Sequence, residues 1–288
     1  MTSLARRHRR DRIMTAAMIL AVLIAVVPLA LILAEVVAKG VGQLSWSFFT
    51  QAVPFVQTAP GGGYAAGIQG TIKMVVLATI IAVPIGVLAA VYLTEYKTQP
   101  VLATTVHFFA DVMTGIPSIF VGIFVFTVVV LTTGSFSAWA GALALAILML
   151  PLIVRTSEEA LRLVPDTLRE ASLALGVRKW RTIISVVLPT ALPGITTGAL
   201  LAVARAAGET APLLLTSFGN QLIVPFTSFN GPQAALTLQI FTDSRSPFPA
   251  QQNRAWTGAL VLIFGVLVLS VIARTIATRR SRGAGRAR

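Results

Sequence analysis

The chain has 288 residues, of which 56% are hydrophobic and only 11% charged, and its mean hydropathy is +0.83. A soluble domain carries about a quarter charged residues, so this composition excludes a water-soluble globule and makes the bilayer the solvent of one membrane domain. The net charge of +13 does not point to nucleic acid, because the basic residues cluster at the ends of apolar runs rather than on a polar face. With no Cys, and with only two His, His8 in a basic tail and His107 alone near a span end, disulfides, thiolate metal sites and a histidine metal cluster are also excluded.

Residues 1–12 form a basic tail holding Arg6, Arg7, Arg9, Arg10 and Arg12, and an apolar run from Ile13 to about Ala34 follows. That run is longer than a signal-peptide core of roughly 7–15 residues, so it is expected to be a retained first span. Gly40 to Gly67 is rich in Gly and Pro, with Trp46, Phe48 and Phe49 in its first half, and reads as an interfacial segment and a loop. A second span runs from about Ile68 to Leu93 with Pro84 inside it, and Glu95 to Pro100 forms a short turn. The third span, about Val101 to Leu131, is interrupted by Gly115-Ile-Pro117-Ser118, since proline removes a backbone donor and clashes with the preceding turn. A tight turn at Thr132 to Ser137 leads to a fourth span, about Ala138 to Val154.

A polar stretch from Arg155 to Pro189 then breaks the apolar pattern. Pro165 suits a first helical turn, Leu168, Ala171 and Leu175 recur at i, i+3 and i+7, and Gly176 can adopt the left-handed conformation that ends a helix. A short amphipathic helix of about ten residues is expected. Lys179, Trp180 and Arg181 after it suit a membrane interface. The fifth span, about Thr190 to Leu215, carries Gly194, Gly198, Ala202 and Ala206 at four-residue spacing, a ridge that allows another helix to approach closely. After an outer segment from Ser217 to Arg254, the sixth span runs from about Trp256 to Ala277, and residues 279–288 form a second basic tail. All 23 Lys and Arg residues except Lys39, Lys73, Arg205, Arg245 and Arg254 flank one side of the spans. That asymmetry places both termini in the cytoplasm.

The polar stretch by itself reads as a cytoplasmic docking element or as an ordinary loop with a surface helix. Glu170-Ala171-Ser172, then Gly176, Val186 and Leu188-Pro189, resembles the EAA loop of ABC-importer permeases, with Ser for the second Ala, Val for Ile, and every spacing kept. The resemblance implies a coupling helix seated in a cleft of an ATP-hydrolysing subunit. It assigns that contact to Asp166, Leu168, Glu170, Ala171, Leu175 and Gly176.

Arg205 and Glu209 fall near the middle of the expected fifth span, four residues apart and so on one helix face. A charge at mid-bilayer costs a few kcal/mol on insertion scales, which leaves two readings: an ion pair that holds the bundle together, or a polar path in which the guanidinium fork receives an oxyanion. In the second, Glu209 is the resting partner of Arg205. Asp111 is either a helix-packing acceptor or a pathway group, and Gly115, Pro117 and Ser118 either open backbone groups to a path or gate, or form a plain kink. Lys73 and Glu35 lie close enough to span ends to snorkel into headgroups.

The run Ala204-Arg205-Ala206-Ala207-Gly208-Glu209-Thr210-Ala211-Pro212-Leu213, with Asp111 and Gly115-Ile-Pro117-Ser118, and Ala255-Trp256-Thr257-Gly258-Ala259, resembles the PstA-type permeases of phosphate-specific ABC importers from about Gly67 to Ala277. The resemblance implies an all-α, six-span permease of the type I, MetI-like fold, with a transmembrane domain over residues 13–278 and the coupling loop at 155–189. It also implies a PstC-type second permease, two ATPase subunits, an extracytoplasmic phosphate-binding protein, and a role in phosphate transport for Arg205 and Glu209. The chain has no Gly-x4-Gly-Lys-Ser/Thr loop to cradle ATP, so ATP and Mg are expected in the partner subunits, with no cofactor on this chain and no catalytic activity of its own. An Arg fork does not separate tetrahedral anions, so a molybdate or sulfate permease is the nearest alternative. An ATP-independent carrier or channel is the alternative that has no use for the coupling loop.

Overall fold

The computed structural model describes residues 2–56, 58–96 and 100–285. Lys97, Arg286 and Arg288, counted above among the flanking cations, lie outside the described residues. Among the described residues five helices are long and apolar enough to cross a membrane, and a sixth candidate is a bent pair. The helices are α1 (Thr2–Gly40), α2 (Trp46–Thr50), α3 (Ala65–Tyr96), α4 (Pro100–Gly115), α5 (Ser118–Thr133), α6 (Ala138–Arg162), α7 (Asp166–Ala174), α8 (Lys179–Ala207), α9 (Ala211–Thr216), α10 (Leu236–Ser244) and α11 (Pro249–Gly285).

The bundle is built around α6. Ser137 caps its start by accepting from the Ala140 amide at 3.1 Å, and the alanines that follow, Ala138, Ala140, Ala142, Ala144 and Ala146, are all buried. Such small side chains let neighbouring backbones come close, which is how helices gain contact where lipid removes the hydrophobic drive. α3 packs along one flank, where Gly86 faces Ile153 and Met74 faces Gly141. α8 packs along another, antiparallel to α6. A Cβ on Gly194 would lie 2.7 Å from that of Ala160, and one on Gly198 would overlap the Thr156 side chain. Ala202 and Ala206 are buried on the same line, so the four-residue ridge is the seam with α6.

A main cluster of Met74, Ala78, Leu145, Met149, Ala202 and Leu213 fills the centre. A second cluster, Ala90, Val91, Ala160, Leu161, Val164, Ile183 and Val187, closes the end that carries α7. At the opposite end Phe48, Val53, Tyr64 and Leu236 form a third. α1 touches the bundle at its own C-terminal end, where Thr257 donates to the Gly40 carbonyl at 2.7 Å and Lys39 lies over the Trp256 ring.

The third expected span is not a kinked helix. Its two arms are bent by 106° at the break, because Pro117 has extended backbone and starts α5 afresh. The fifth expected span begins eleven residues earlier than Thr190, since Lys179 to Pro189 continue straight into the helix through a wider turn at Ile183–Val187. It also ends earlier, at Ala207. Gly208, Glu209 and Thr210 are non-helical, and α9 is a separate short helix starting with Ala211-Pro212. Likewise α6 continues to Arg162, so Arg155 is helical and not part of a loop.

Candidate functional site

Arg205 stands in the last turn of α8, where the helix-end carbonyls favour a cation. Its Nε lies 3.6 Å from Glu209 Oε1, with the Arg side chain 52% and the Glu side chain 16% exposed. The pair expected inside a continuous helix therefore sits at a helix terminus. The Gly208 and Glu209 amides close the last turn on the Arg205 and Ala206 carbonyls, and Thr237 donates to the Glu209 carbonyl at 2.9 Å. Glu209 is held by its backbone while the guanidinium remains open. Thr197, Leu201, Arg205 and Gly208 are all exposed, a stripe on α8 turned away from the buried ridge of Ala202 and Ala206.

Asp111 is not brought to this pair. It forms an ion pair with Arg155 of α6, both groups being about half exposed, and four residues before it His107 approaches Glu158 at 3.5 Å. Gly115 has open space around its Cα and Pro117 caps α5. Farther along, Gly122 presses on Pro212, where an added Cβ would lie 2.8 Å from the proline Cα. The breaks on either side of α5 and α9 thus bracket one packed contact.

The segment expected to couple folds as a capped helix. Pro165 precedes α7, Asp166 opens it, and Gly176 follows at φ +79°. The Gly176 amide donates to Leu173 and the Val177 amide to Ser172, the paired bonds of a Schellman stop. The face differs from the sequence pattern. Leu168 packs on the cluster beneath and Ser172 meets Thr182 at 2.9 Å, whereas Glu170, Ala171, Leu173 and Leu175 are exposed. The expected stripe of Leu168, Ala171 and Leu175 is split, because Leu175 lies beyond the final helical residue and one turn of contact suffices to seat the helix. The outer face of α7, with Ala171 and Leu173 at its centre, is left exposed.

Lys73 corrects a further expectation. It does not snorkel: it is 2% exposed and donates to the carbonyls of Ser228 (2.7 Å) and Pro225 (3.2 Å) and to Gln233 Oε1 (3.0 Å). Three fixed acceptors replace its hydration. Glu35 is paired with Lys39 at 2.7 Å, and both are half exposed. Just before α3, the Tyr64 hydroxyl donates to Asp243 Oδ2 of α10 at 2.7 Å, and Arg254 of α11, 0% exposed, lies 3.6 Å from the same oxygen. Burial pushes both the Tyr64 hydroxyl and the Asp243 carboxyl above their ordinary values. For Asp243 the Tyr64 hydrogen bond and Arg254 oppose the rise.

The family of binding-protein-dependent transport system inner membrane components matches residues 82–282, from the middle of α3 into α11. Over 274 residues the chain is 43% identical to the phosphate transport system permease protein PstA of Yersinia pestis, covering 95% of this chain and 92% of that protein. This chain belongs to the PstA family. It is also 39% identical to the phosphate transport system permease protein PstA of Pasteurella multocida and 42% identical to that of Mycobacterium leprae, each over 96% of this chain. The fold is that of the permease in the inward-facing MetNI methionine ABC transporter, at TM-score 0.62 and 20% identity over 75% of this chain and 97% of the other. It is therefore a membrane permease subunit of an ABC transporter.

Within this PstA chain, sequence reasoning missed three arrangements: the Lys73 cage, the Asp111–Arg155 pair and the contacts of Arg169. A cation eight residues inside an apolar helix lies about 12 Å from its end at 1.5 Å per residue, deep enough to have signalled a buried site for Lys73.

Proposed function

We propose that this chain conducts inorganic phosphate inward through an ATP-driven importer of the bacterial inner membrane, with both termini and α7 on the cytoplasmic side. The observation that carries the reading is the exposed Arg205 guanidinium at the end of an α8 stripe left uncovered among the described residues, paired with a Glu209 anchored just beyond the helix. A second permease of the PstC type closes that stripe into a path. Phosphate displaces the Glu209 carboxylate from Arg205, and the carboxylate returns when the anion leaves, so the site does not retain its cargo. The relatives named as phosphate transport permeases support phosphate over sulfate or molybdate.

Asp166, Leu168, Glu170, Ala171, Leu175 and Gly176 form the docking helix for one of two ATPase subunits, where ATP and Mg are bound. A phosphate-binding protein delivers the anion at the opposite end. Nucleotide-driven closure of the ATPases moves α7 and exchanges inward for outward access. Asp111, Gly115, Pro117 and Ser118 belong to the gate region, at the sharp bend between α4 and α5.

The test is ATP hydrolysis and anion uptake by the complete complex in proteoliposomes with its binding protein. Phosphate alone should stimulate hydrolysis, and Arg205→Gln should abolish uptake while the subunits still assemble. Equal stimulation by sulfate or molybdate would move the assignment to another oxyanion. Uptake independent of nucleotide would overturn the importer.

A further inference from the structure

Arg169 precedes the exposed Glu170 on α7 but points the other way, into the junction of α3, α6 and α7. Its Nε and Nη2 both donate to Glu95 Oε1, at 3.0 and 2.9 Å. Nη2 also donates to the Leu161 carbonyl at 2.9 Å, and Nη1 to the Val164 carbonyl at 2.6 Å and to Asp166 Oδ1 at 3.0 Å. A guanidinium has five N–H donors, and all five are used. The Arg169 side chain is 18% exposed and that of Glu95 8%. Neighbouring Arg162, 60% exposed and tied to Glu158 of its own helix, shows what an unrecruited arginine does at this end of the bundle.

The partners belong to different elements. Glu95 lies in the wide last turn of α3, Leu161 near the end of α6, Val164 in the linker, and Asp166 at the start of α7 itself. The planar fork fixes three directions at once, so α7 cannot shift against α3 and α6 without breaking several charge-assisted bonds together. Moving the partners with it breaks none.

We infer that Arg169 is the strut that carries displacement of the docking helix into α3 and α6, a positioning residue for transport that touches neither the anion nor the ATPase. The inference rests on the coupling reading given under Proposed function.

The experiment uses the whole reconstituted complex and measures phosphate taken up per ATP hydrolysed, alongside recovery of the ATPase subunit. Arg169→Ala and Glu95→Ala should each keep the ATPase bound and hydrolysing, yet lower that ratio about tenfold. The double variant should be no worse than either single one, since both remove the same link. Arg169→Lys, with donors but no fork, should fall between. An unchanged ratio in Arg169→Ala overturns the strut, as does loss of the ATPase from the complex, which would make Arg169 part of the docking surface. If Arg169→Ala fails to accumulate, the isosteric Glu95→Gln decides: a ratio equal to the native one overturns the strut, and a drop of about threefold supports it. A native chain that brings down no ATPase defeats the coupling reading itself, an outcome distinct from all of these.

Discussion

Lys73 and Gln233 meet through a 3.0 Å hydrogen bond across 160 residues of chain, and the two buried side chains tie α3 to the segment between α9 and α10. Lys73→Met keeps the aliphatic volume and removes the donor, leaving Gln233 Oε1 and the Ser228 carbonyl without it. A buried acceptor left unpaired costs about 1–3 kcal/mol. The variant should unfold at lower temperature and be cut sooner by protease within residues 218–234, with the α7 end of the bundle unaffected.

Gly198 fixes the spacing of α8 and α6. Gly198→Leu drives a side chain into Thr156, and overpacking of this kind costs about 1–3 kcal/mol. Thermal unfolding in detergent should register that loss, whereas Gly265→Leu, which has open space at its Cα, should not.

Gly176 holds φ at +79°, a conformation proline cannot adopt and which needs the amide that proline lacks. Gly176→Pro should dissolve the Schellman stop and re-aim the exposed face of α7. ATP hydrolysis should continue without phosphate uptake, and equal uptake in the variant would remove α7 from the coupling path.

Glu209→Gln leaves Arg205 without its carboxylate. Phosphate retained by the purified complex should rise, while the uptake rate falls about tenfold, equivalent to about 1.4 kcal/mol. Faster uptake in this variant would show the carboxylate to be a barrier and not a release device.

Asp243 supplies a pH dependence outside the spans. Burial raises its pKa in the folded state above the ordinary 3.8, so the folded form binds the proton more tightly than the unfolded one. Stability linked to this group is present below the ordinary value and is lost as pH rises through the raised one. Melting temperatures followed from acid to neutral pH should show that decline in the native chain and a shallower one in Asp243→Asn.

The sequence made some of this visible because certain residues have a single physical use. Gly176 at the end of an amphipathic run, the Gly194–Gly198–Ala202–Ala206 ridge and Pro117 within a span each foretold a local structure that exists. What stayed hidden was pairing between elements. Periodicity assigns a face to a helix but not the neighbour it meets, so Leu168 and Leu175 looked equivalent although one is packed and the other bare. Hydropathy likewise scores Lys73 the same whether it reaches headgroups or a cage of carbonyls. The Ala-rich run through Arg205 gave no sign that the helix would stop at Ala207, since Gly208 and Pro212 are also compatible with a bent continuous helix.

The manner in which α1 is joined to the bundle separates two kinds of energy. Its most apolar stretch buries no residue against the other described residues, and its polar tether to α11 is at Gly40. Leucines and isoleucines along it therefore contribute to partitioning into lipid and almost nothing to tertiary cohesion. Trimming them would weaken membrane retention of the polypeptide while leaving the melting point of α3–α11 where it was. Along α1, the residues that face lipid are not the ones that hold α3–α11 together.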